Sequence, residues 1–581
     1  MEKCWALKAP GDSVKVQRLA EELNIDPALA NLLVQRGVET FEEARTFFRP
    51  SLDNLHDPFL MKDMDKAIDR IALAISRNER ILVYGDYDVD GTSAVALVYT
   101  FLESIHLNID FYIPDRYDEG YGVSAKGVDF ASTSQVGLII ALDCGIKAVE
   151  KVQYAASKGI DFIICDHHRP GAEIPAAVAV LDPKQPGCDY PYKELSGCGI
   201  GFKLIQAYSQ KKGIPFVTLN QYLDLVALSI ASDIVDITGE NRVLAYYGLR
   251  LINTKPRPGL EALLRYSAMT KTDDAPGGNV FFRELTITDL VFMIGPRINA
   301  AGRIESGKNS VKLLITKNME EAMRVAGQIN AHNIERKTLD SLATQQAISM
   351  INEDEQLKNA RSTVIYHPDW HKGVIGIVAS RLTEIFYRPT IVLTLSNGLV
   401  TGSARSVRDF DIYEAVDACS GLLEHFGGHK FAAGLSLRPE NLEAFRDKFE
   451  AFVTAKLEGI ELKPVLEVDS ALPLSCINSR FYNVLRQFAP FGPGNMAPLF
   501  LTKGVMDAGG LKIVGKNHLK LSVVHPDVAG GPFPAIAFQQ GDHYPMIDRQ
   551  IPFDICYHVE ENEWNGTVNL QLNVKDIKFG R

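Results

Sequence analysis

The sequence predicts a multidomain α/β protein that ends in a small β-barrel, and three observations support this fold class. The chain has 581 residues, enough for about four domains. Strand-like and helix-like stretches alternate twice, at about 80–182 and 360–455, which indicates two α/β units, the first with a parallel sheet. After about residue 464 the pattern changes to short alternating strands and turns, which is typical of a small barrel.

Composition excludes several classes of protein. The chain is 46% hydrophobic and 23% charged, as ordinary globular proteins are. No stretch approaches the roughly 18 uncharged apolar residues of a membrane span, and the N-terminus has no apolar signal core. The sequence therefore predicts a cytoplasmic protein that does not associate with membranes. The eight cysteines include no C-x-x-C pair, which argues against a cysteine zinc site or a disulfide scaffold.

The net charge of −11 argues mildly against a protein that coats DNA non-specifically, because such proteins are usually basic. It leaves room for a local basic groove. It also fits an enzyme that concentrates carboxylates to hold divalent metal ions.

The elements group into five predicted domains. Apolar residues at helical spacing in VQRLAEELNI and PALANLLVQRGV predict the helices of the first one. A polar stretch with few strongly apolar residues predicts a long helix that bridges two domains. In chain order, the predicted domains are a helical lead-in (1–60), an α/β domain with the metal site (61–316), the connecting helix (317–355), a smaller α/β domain (356–460) and the β-barrel (461–581).

The strongest local pattern is GDYDVDG (85–91) at the end of an apolar strand. Asp86, Asp88 and Asp90 crowd one face at strand spacing, and like charges this close raise each other's pKa unless divalent cations compensate them. A solvated acidic turn is the alternative. An EF-hand loop fits poorly, because Leu97 stands where the bidentate glutamate is needed.

Two further strand ends carry polar groups. Asp143 follows GLIIAL, and Asp166, His167 and His168 follow IDFIIC. Ligands gather at the carboxyl ends of parallel strands, and mixed carboxylate and imidazole donors suit Mn²⁺ and Mg²⁺. So many ligands favour two ions bridged by one carboxylate, which indicates metal-assisted phosphoester hydrolysis. Helix caps and a satisfied histidine are the alternative interpretation.

The motifs GDYDVDG, LDCG (142–145), DHH (166–168) and SDIVD (232–236), in this order, resemble the four motifs of the DHH phosphoesterase superfamily. SARS (403–406) and GGHKFAAG (427–434) resemble its associated DHHA1 domain. GPRINAAGR (295–303), the barrel and the length narrow the resemblance to the RecJ family of bacterial exonucleases, and it covers essentially the whole chain. It implies an OB-fold barrel and 5′→3′ hydrolysis of single-stranded DNA to 5′-mononucleotides, in repair and recombination.

The resemblance also implies roles for individual residues. Two ions, Mn²⁺ or Mg²⁺, are expected, with Asp143 bridging them; Asp86, Asp88 and Asp143 would hold one, and Asp90, Asp143, His167 and Asp233 the other. Asp236 remains an alternative to Asp233. His168 is expected beside the scissile phosphate as an electrostatic or general-acid helper, with Asp166 orienting His167. Asp86 agrees with the RecJ pattern, whereas many DHH relatives have histidine there.

Candidate contacts to the DNA strand form four groups of residues. Arginine forks suit phosphate, tyrosine stacks on bases, and lysine attracts phosphates without reading sequence. The candidates are Arg116 and Tyr121; Arg297, Asn299 and Arg303; Ser403, Arg405 and His429, which the family pattern places on the 5′-terminal nucleotide; and Lys512, Lys516 and Lys520. The alternatives are ion-paired arginines, an ordinary tyrosine-rich loop and a lysine edge that discourages sheet aggregation.

Two rival functions remain open. One is a phosphoesterase for small molecules or short oligonucleotides, for which the barrel and the lead-in would be surplus. The other is a non-catalytic scaffold of the DHH fold, although every motif position is occupied here. For the exonuclease, the resemblance implies a monomer that binds single-stranded DNA, with a single-strand-binding protein and a helicase as partners.

Overall fold

The computed structural model describes residues 2–272, 278–304, 306–525, 531–564 and 567–580. The chain divides into two compact units: one is mainly Gln328–Leu466, and the other contains Trp5–Gly302, Ser306–Gly327 and the chain from Glu467 onward. The predicted multidomain α/β class is confirmed. Among the described residues, no helix combines the length and the apolar character needed to cross a membrane.

The lead-in is helical, as predicted. It contains β1 (Cys4–Leu7), α1 (Ser13–Leu23), α2 (Pro27–Gln35) and α3 (Phe41–Phe48). Asp12, Asp26 and Thr40 accept hydrogen bonds from the free N–H groups at the starts of the three helices, which stabilises each helix end.

The first sheet is parallel, with strand order β3-β2-β4-β5-β6. Its strands are β2 (Arg80–Gly85), β3 (Ile109–Tyr112), β4 (Val136–Leu142), β5 (Asp161–Cys165) and β6 (Ala179–Leu181). The helices of this part are α4 (Met64–Ser76), α5 (Val89–Glu103), α6 (Ala125–Thr133) and α7 (Val149–Ser157). Because the pairings are parallel, the strands end at one edge of the sheet, where the predicted ligands begin.

A mostly helical stretch follows, as the sequence predicts. It contains α8 (Gly197–Lys212), α9 (Leu223–Ser232), α10 (Gly239–Thr254), α11 (Pro258–Arg265), α12 (Ile287–Asp289), α13 (Gly295–Ile304) and α14 (Lys308–Ile315). A π-helical turn, Leu290–Ile294, separates α12 from α13. The long helix α15 (Met319–Glu353) begins in one compact unit and ends in the other, so the predicted connecting helix is present.

The unit around Gln328–Leu466 is built on a mixed sheet of order β10-β11-β9-β8-β7, in which only the β7–β8 pairing is parallel. Its elements are α16 (Glu355–Asn359), β7 (Thr363–Tyr366), α17 (Ile375–Phe386), β8 (Thr390–Ser396), β9 (Leu399–Arg405), α18 (Ile412–Asp417), β10 (His425–His429), β11 (Ala432–Leu437) and α19 (Leu442–Lys456).

The chain ends in a barrel, closed because β14 pairs with β16 as well as with β18. The strand before it, β12 (Val465–Val468), belongs to a separate two-stranded sheet. The elements of the barrel are β13 (Ser470–Ala471), α20 (Ser479–Leu485), β14 (Phe500–Asp507), β15 (Lys512–Val514), β16 (His518–Val524), β17 (Phe533–Ala537), α21 (Tyr544–Asp548), β18 (Phe553–Trp564) and β19 (Thr567–Phe579).

The helical lead-in and the barrel share one hydrophobic core. Leu29, Leu32 and Leu33 of α2 are buried in the same cluster as Phe500 and Tyr557 of the barrel. The apolar stripe of three short helices needs a partner surface to be buried. The two predicted domains at opposite ends of the sequence therefore pack as one body.

Candidate metal centre

Asp86, Asp88 and Asp90 lie where β2 passes into α5. Asp86 directly follows the strand and is buried. The Asp88 carboxylate caps α5 by accepting from the Gly91 N–H at 3.0 Å. Gly91 is needed for this turn, because a Cβ there would come within 2.5 Å of the Asp86 carbonyl oxygen. The three carboxylates therefore lie in a strand-to-helix turn, with Asp86 after β2, Asp88 at the cap of α5 and Asp90 in its first turn, and not at the strand spacing that the sequence predicted.

Asp90 is held by a second helix. The N–H groups of Gly197 and Cys198, at the start of α8, each donate to its carboxylate at 2.7 Å. The hydroxyl of Ser229 on α9 donates to it at 2.7 Å as well. Sequence reasoning missed these donors. The glycine-rich segment SGCGIG (196–201) was a cue, because helix N-termini with free N–H groups bind anions.

Asp143 follows β4 with a left-handed backbone, φ 59°. Its N–H donates to the Cys165 carbonyl oxygen at 2.9 Å, which ties it to the end of β5. A Cβ at Gly197 would lie 2.6 Å from the Asp143 Cβ, so only glycine fits beside it. Burial, and then the charges of Asp90, Asp88 and Asp233, raise the pKa of Asp143 well above its usual range.

His167 is the point where these elements meet. Its Nε2 lies 3.2 Å from Asp143 Oδ1, 3.5 Å from Asp233 Oδ2 and 3.9 Å from Asp90 Oδ2. Burial lowers the pKa of His167, which favours the neutral imidazole that ligates metals. Asp233, at the end of α9, belongs to a set of possible metal ligands in the described structure, whereas Asp236 does not.

The Asp166 side chain contacts a different histidine from the one predicted. Its Oδ1 accepts from the His168 ring Nδ1 at 2.7 Å, and it reaches His167 only through the main-chain N–H at 2.8 Å. The prediction that Asp166 orients the His167 ring is wrong, because the tight turn after β5 folds the His168 ring back over Asp166. Burial alone would raise the pKa of Asp166, but the hydrogen bond from His168, the charge of His168 and the main-chain N–H groups of Ile146 and His168 together lower the pKa to about 2.

The environment of His168 favours its protonated form. Burial opposes the charge, but the hydrogen bond to Asp166 and the nearby carboxylates raise the pKa of His168 to about 9. Its Nε2 lies 3.2 Å from the hydroxyl of Tyr121. The hydrogen bond to Asp166 and the raised pKa therefore favour a protonated His168 beside the carboxylate cluster.

The residues fit divalent metal ions. Asp86 Oδ2, Asp143 Oδ1 and both ring nitrogens of His167 are buried without a hydrogen-bond partner in the described structure, whereas buried polar atoms are nearly always paired. Two sets offer ligand atoms within 4.8 Å of one another, Asp143 with His167 and His168, and Asp90 with His167 and Asp233. Asp86 and Asp88 lie outside both sets. Carboxylate and imidazole donors suit Mn²⁺ or Mg²⁺.

Arg116 and Tyr121 lie beside this centre, together with one residue that sequence reasoning did not single out. The Arg116 guanidinium stacks over the ring of Tyr87, 4.9 Å from its centroid. The Tyr87 and Tyr121 rings meet edge to face at 6.1 Å, and Tyr121 meets His168 at 6.0 Å. Tyr87 belongs to the motif GDYDVDG, of which sequence reasoning considered only the carboxylates and not the aromatic residue.

The arginines of the segment GPRINAAGR donate hydrogen bonds to main-chain carbonyl oxygens of the protein. Arg297 is buried and donates to the carbonyl oxygens of Met293 and Tyr266 at 2.6 and 3.1 Å, a geometry that does not suit the predicted phosphate contact. Asn299 is half-buried. Arg303 donates to the Gly373 carbonyl oxygen at 2.7 Å.

In the unit around Gln328–Leu466, two of the three candidate DNA contacts, Ser403 and Arg405, lie in direct contact. The Arg405 guanidinium donates to the hydroxyls of Ser403 at 2.9 Å and Ser380 at 3.2 Å. Burial lowers the pKa of Arg405, and a Cβ at Gly376 would lie 3.2 Å from its Nη2. His429 is exposed at the end of β10. Because these hydroxyl partners are neutral, they do not compensate the positive charge of Arg405, which can therefore attract an anion.

The three barrel lysines share a hairpin. Lys512 on β15 is paired directly with Lys520 on β16, and Lys516 lies in the turn between the strands. All three are exposed. Close like charges on an exposed hairpin repel one another, and a polyanion relieves that repulsion.

The fold and the site define the class: DHH phosphoesterases. The family model for the DHH N-terminal domain matches residues 80–230, the DHHA1 model 359–455 and the RecJ OB domain model 468–576. The curated single-stranded-DNA-specific exonuclease RecJ of Bacillus subtilis is 36% identical to this chain, over 98% of this chain and 70% of its own length. That of Escherichia coli is 32% identical, over 95% of this chain and 96% of its own length. The chain belongs to the RecJ family.

Solved structures agree with this assignment. The crystal structure of RecJ in complex with Mn²⁺ from Thermus thermophilus superposes with a TM-score of 0.83 at 25% identity, covering 100% of this chain and 80% of that one. A second structure, of exonuclease RecJ bound to manganese, has a TM-score of 0.60 at 29% identity and covers 71% of this chain and 99% of that one.

Proposed function

We propose that the protein is a metal-dependent exonuclease that hydrolyses single-stranded DNA from the 5′ end and releases 5′-mononucleotides, in DNA repair and recombination. The observation that carries the proposal is the convergence of Asp90, Asp143 and Asp233 on His167 Nε2 within 3.9 Å. Membership of the RecJ family supplies the substrate.

The residues that would hold two divalent ions are those of the family pattern. Asp86, Asp88 and Asp143 would hold one, and Asp90, Asp143, His167 and Asp233 the other. When bound, such ions stabilise the charge that develops in an in-line displacement at phosphorus and activate water. The ligand atoms of Asp90, His167 and Asp233 lie within 4.8 Å of one another, which directly supports the second of these two ion sites.

The chain's own groups would position the reacting phosphate. His168 would hold a proton at Nε2, and a charged hydrogen bond from it to a phosphate oxygen would stabilise the transition state. Asp166 fixes the His168 ring by its hydrogen bond to Nδ1. Tyr121 would stack on a base and Arg116 would contact the backbone, both without reading sequence.

The 5′ polarity is assigned to the group of Ser403, Arg405 and His429, which would bind the 5′-terminal phosphate. Arg405, with its hydroxyl partners, supplies the charge for this contact. Arg405→Ala should reduce cleavage of 5′-phosphorylated strands more than it reduces Mn²⁺ affinity. Equal loss with 5′-phosphate and 5′-hydroxyl ends would contradict this assignment.

The domain boundaries 1–60, 61–316, 317–355, 356–460 and 461–581 are part of the proposal. Each of the second, fourth and fifth contains one of the segments that the family models match. We also propose that the enzyme acts in the cytoplasm as a monomer, with a single-strand-binding protein and a helicase as partners. The family alone supports these points, and sedimentation and co-purification test them.

Digestion of end-labelled DNA tests the proposed function. With Mn²⁺, a 3′-labelled single strand should shorten progressively and a 5′-labelled one should release mononucleotides at once, while duplex DNA stays intact. Cleavage of dinucleotides alone would favour a short-oligonucleotide phosphoesterase. Absence of hydrolysis with any of these substrates would favour the scaffold.

A further inference from the structure

The glycine turn FGPGN (491–495) contacts the loop that carries Asp233. This segment lies between α20 and β14. It contains none of the candidate metal ligands and none of the candidate DNA contacts described above. It meets the chain between α9 and α10, residues 233–238. Both segments belong to the same compact unit.

The position of Asp233 depends on what anchors the residues after it. The Asp233 N–H makes the last helical hydrogen bond of α9, to the Ser229 carbonyl oxygen at 2.9 Å. The next residue, Ile234, has a left-handed backbone with φ 59°, which is an outlier for a β-branched side chain. Such a conformation persists only where surrounding contacts hold it in place.

The turn supplies such a contact. The Ile237 N–H donates to the Pro493 carbonyl oxygen at 2.7 Å, and the Ile237 side chain is buried. A Cβ at Gly492 would come within 2.4 Å of Ile237 Cδ1. A Cβ at Gly494 would come within 2.8 Å of Thr238 Cγ2 and 3.3 Å of Asp236 Cγ. Side chains at either glycine would therefore push the loop away.

The turn is itself fixed. Gly492 and Asn495 exchange two main-chain hydrogen bonds of 3.0 and 2.9 Å. The buried Asn495 amide donates to the carbonyl oxygens of Phe488 and Pro490, and Arg36 of the lead-in donates to its Oδ1 at 2.9 Å. On the other side of the loop, Asn241 donates to the Asp236 carbonyl oxygen at 2.9 Å.

We propose that the turn Gly492–Asn495 is a positioning element for Asp233, and that it sets the affinity of the metal centre for divalent cations. The proposal rests on the metal centre described under the proposed function. It assigns a role to residues that do not touch the substrate or the reacting atoms. Such a role predicts loss of metal affinity when a side chain is added at Gly494.

The test is Mn²⁺ binding, measured by isothermal titration calorimetry of the full chain without DNA. Gly494→Ala should weaken Mn²⁺ binding at least tenfold. Gly504→Ala is the matched control: its φ is 66°, against 70° at Gly494, but an added Cβ meets nothing closer than 4.0 Å. The control should share any cost of the left-handed backbone and keep its Mn²⁺ affinity within twofold.

Two further variants keep the test informative if Gly494→Ala folds poorly. Thr238→Ser removes the methyl group that the new Cβ would strike and keeps the hydroxyl that lies 3.2 Å from Tyr192 Oη. Gly494→Ala combined with Thr238→Ser should therefore recover part of the lost Mn²⁺ affinity, because the contact with Asp236 Cγ at 3.3 Å then remains. In an Asp233→Ala background, Gly494→Ala should have no additional effect, since a double-mutant cycle isolates coupling between the two sites.

Wild-type affinity in Gly494→Ala, or an undiminished effect of Gly494→Ala without Asp233, would overturn the positioning role while leaving the metal centre in place. A wild-type chain that binds no Mn²⁺ would instead overturn the metal centre itself, and the positioning role with it.

Discussion

At the scale of the residue, the metal centre is a set of buried carboxylates that repel one another until cations compensate them. Burial and neighbouring charges raise the pKa values of Asp86, Asp88 and Asp143, and raise that of Asp233 to about 8. A folded protein keeps such a cluster at a cost in stability. The cost is offset when divalent ions bind, so the residues that destabilise the metal-free protein are those expected to hold metal.

Asp143→Asn tests this relation. Asparagine tolerates the left-handed backbone at this position and replaces a carboxyl group whose ionised form is disfavoured by burial and by neighbouring charges. We expect a more stable metal-free protein, by about 1–3 kcal/mol, and a loss of hydrolysis of at least roughly 10³-fold. Urea unfolding and single-strand digestion measure the two effects. Asp236→Asn is the control and should retain activity; retained activity in Asp143→Asn would exclude the bridging role.

The raised pKa values also predict how metal binding depends on pH. Near pH 7 the cluster retains protons, because the pKa of Asp233 is about 8. Mn²⁺ must displace them, so affinity should rise by about tenfold per pH unit for each proton released between pH 6 and 8. Calorimetry in buffers of different ionisation enthalpy counts the protons. A constant affinity over this range would contradict the assigned pKa shifts.

At the scale of the element, the sequence predicted the site residues that directly follow the strands of the parallel sheet. Apolar runs that stop at acidic or imidazole residues located Asp86, Asp143 and His167 at one sheet edge, since parallel strands place their ends together. The donors to Asp90 were not predictable in this way. Ser229 is 139 positions away in the chain, and only the packing of α9 against α5 brings the hydroxyl to the carboxylate. The Asp166–His168 contact likewise depends on a turn that spacing does not specify.

The lysine hairpin β15–β16 is the element whose predicted role is most easily isolated. Changing Lys512, Lys516 and Lys520 to glutamine should weaken binding of single-stranded DNA and reduce the salt slope by up to about 2, at roughly 0.7 per phosphate contact. Fluorescence anisotropy over a range of salt concentrations measures it. Glutamine at Lys66, Lys151 and Lys211, on helices α4, α7 and α8, serves as the control. An unchanged slope in the hairpin variant would remove the barrel from the DNA-binding surface.

At the scale of the whole molecule, the ends of the chain form one body. The spacing of apolar residues predicted a helical start, and short alternating strands predicted a barrel at the end. Periodicity shows only which face of a helix is apolar, not what covers it. The structure covers it with the barrel. The same arrangement brings Arg36 to Asn495 and, through the turn that Asn495 fixes, to the loop of Asp233.

Leu33→Ala tests the shared core. Leu33 is fully buried in the cluster that contains the barrel phenylalanines, so truncation should cost about 2–5 kcal/mol. Val14→Ala, on an exposed face of α1, should change the free energy of unfolding by less than about 0.5 kcal/mol. Urea unfolding followed by circular dichroism compares them. Equal effects would contradict the burial of Leu33 in the shared core.

The most direct test of the account is a crystal structure of the protein soaked with Mn²⁺, with anomalous scattering recorded at the manganese edge. Two peaks should flank the Asp143 carboxylate, one within coordination distance of His167, Asp90 and Asp233 and the other near Asp86 and Asp88. A map with no peak among these side chains, or with manganese bound only elsewhere on the molecule, would contradict the account.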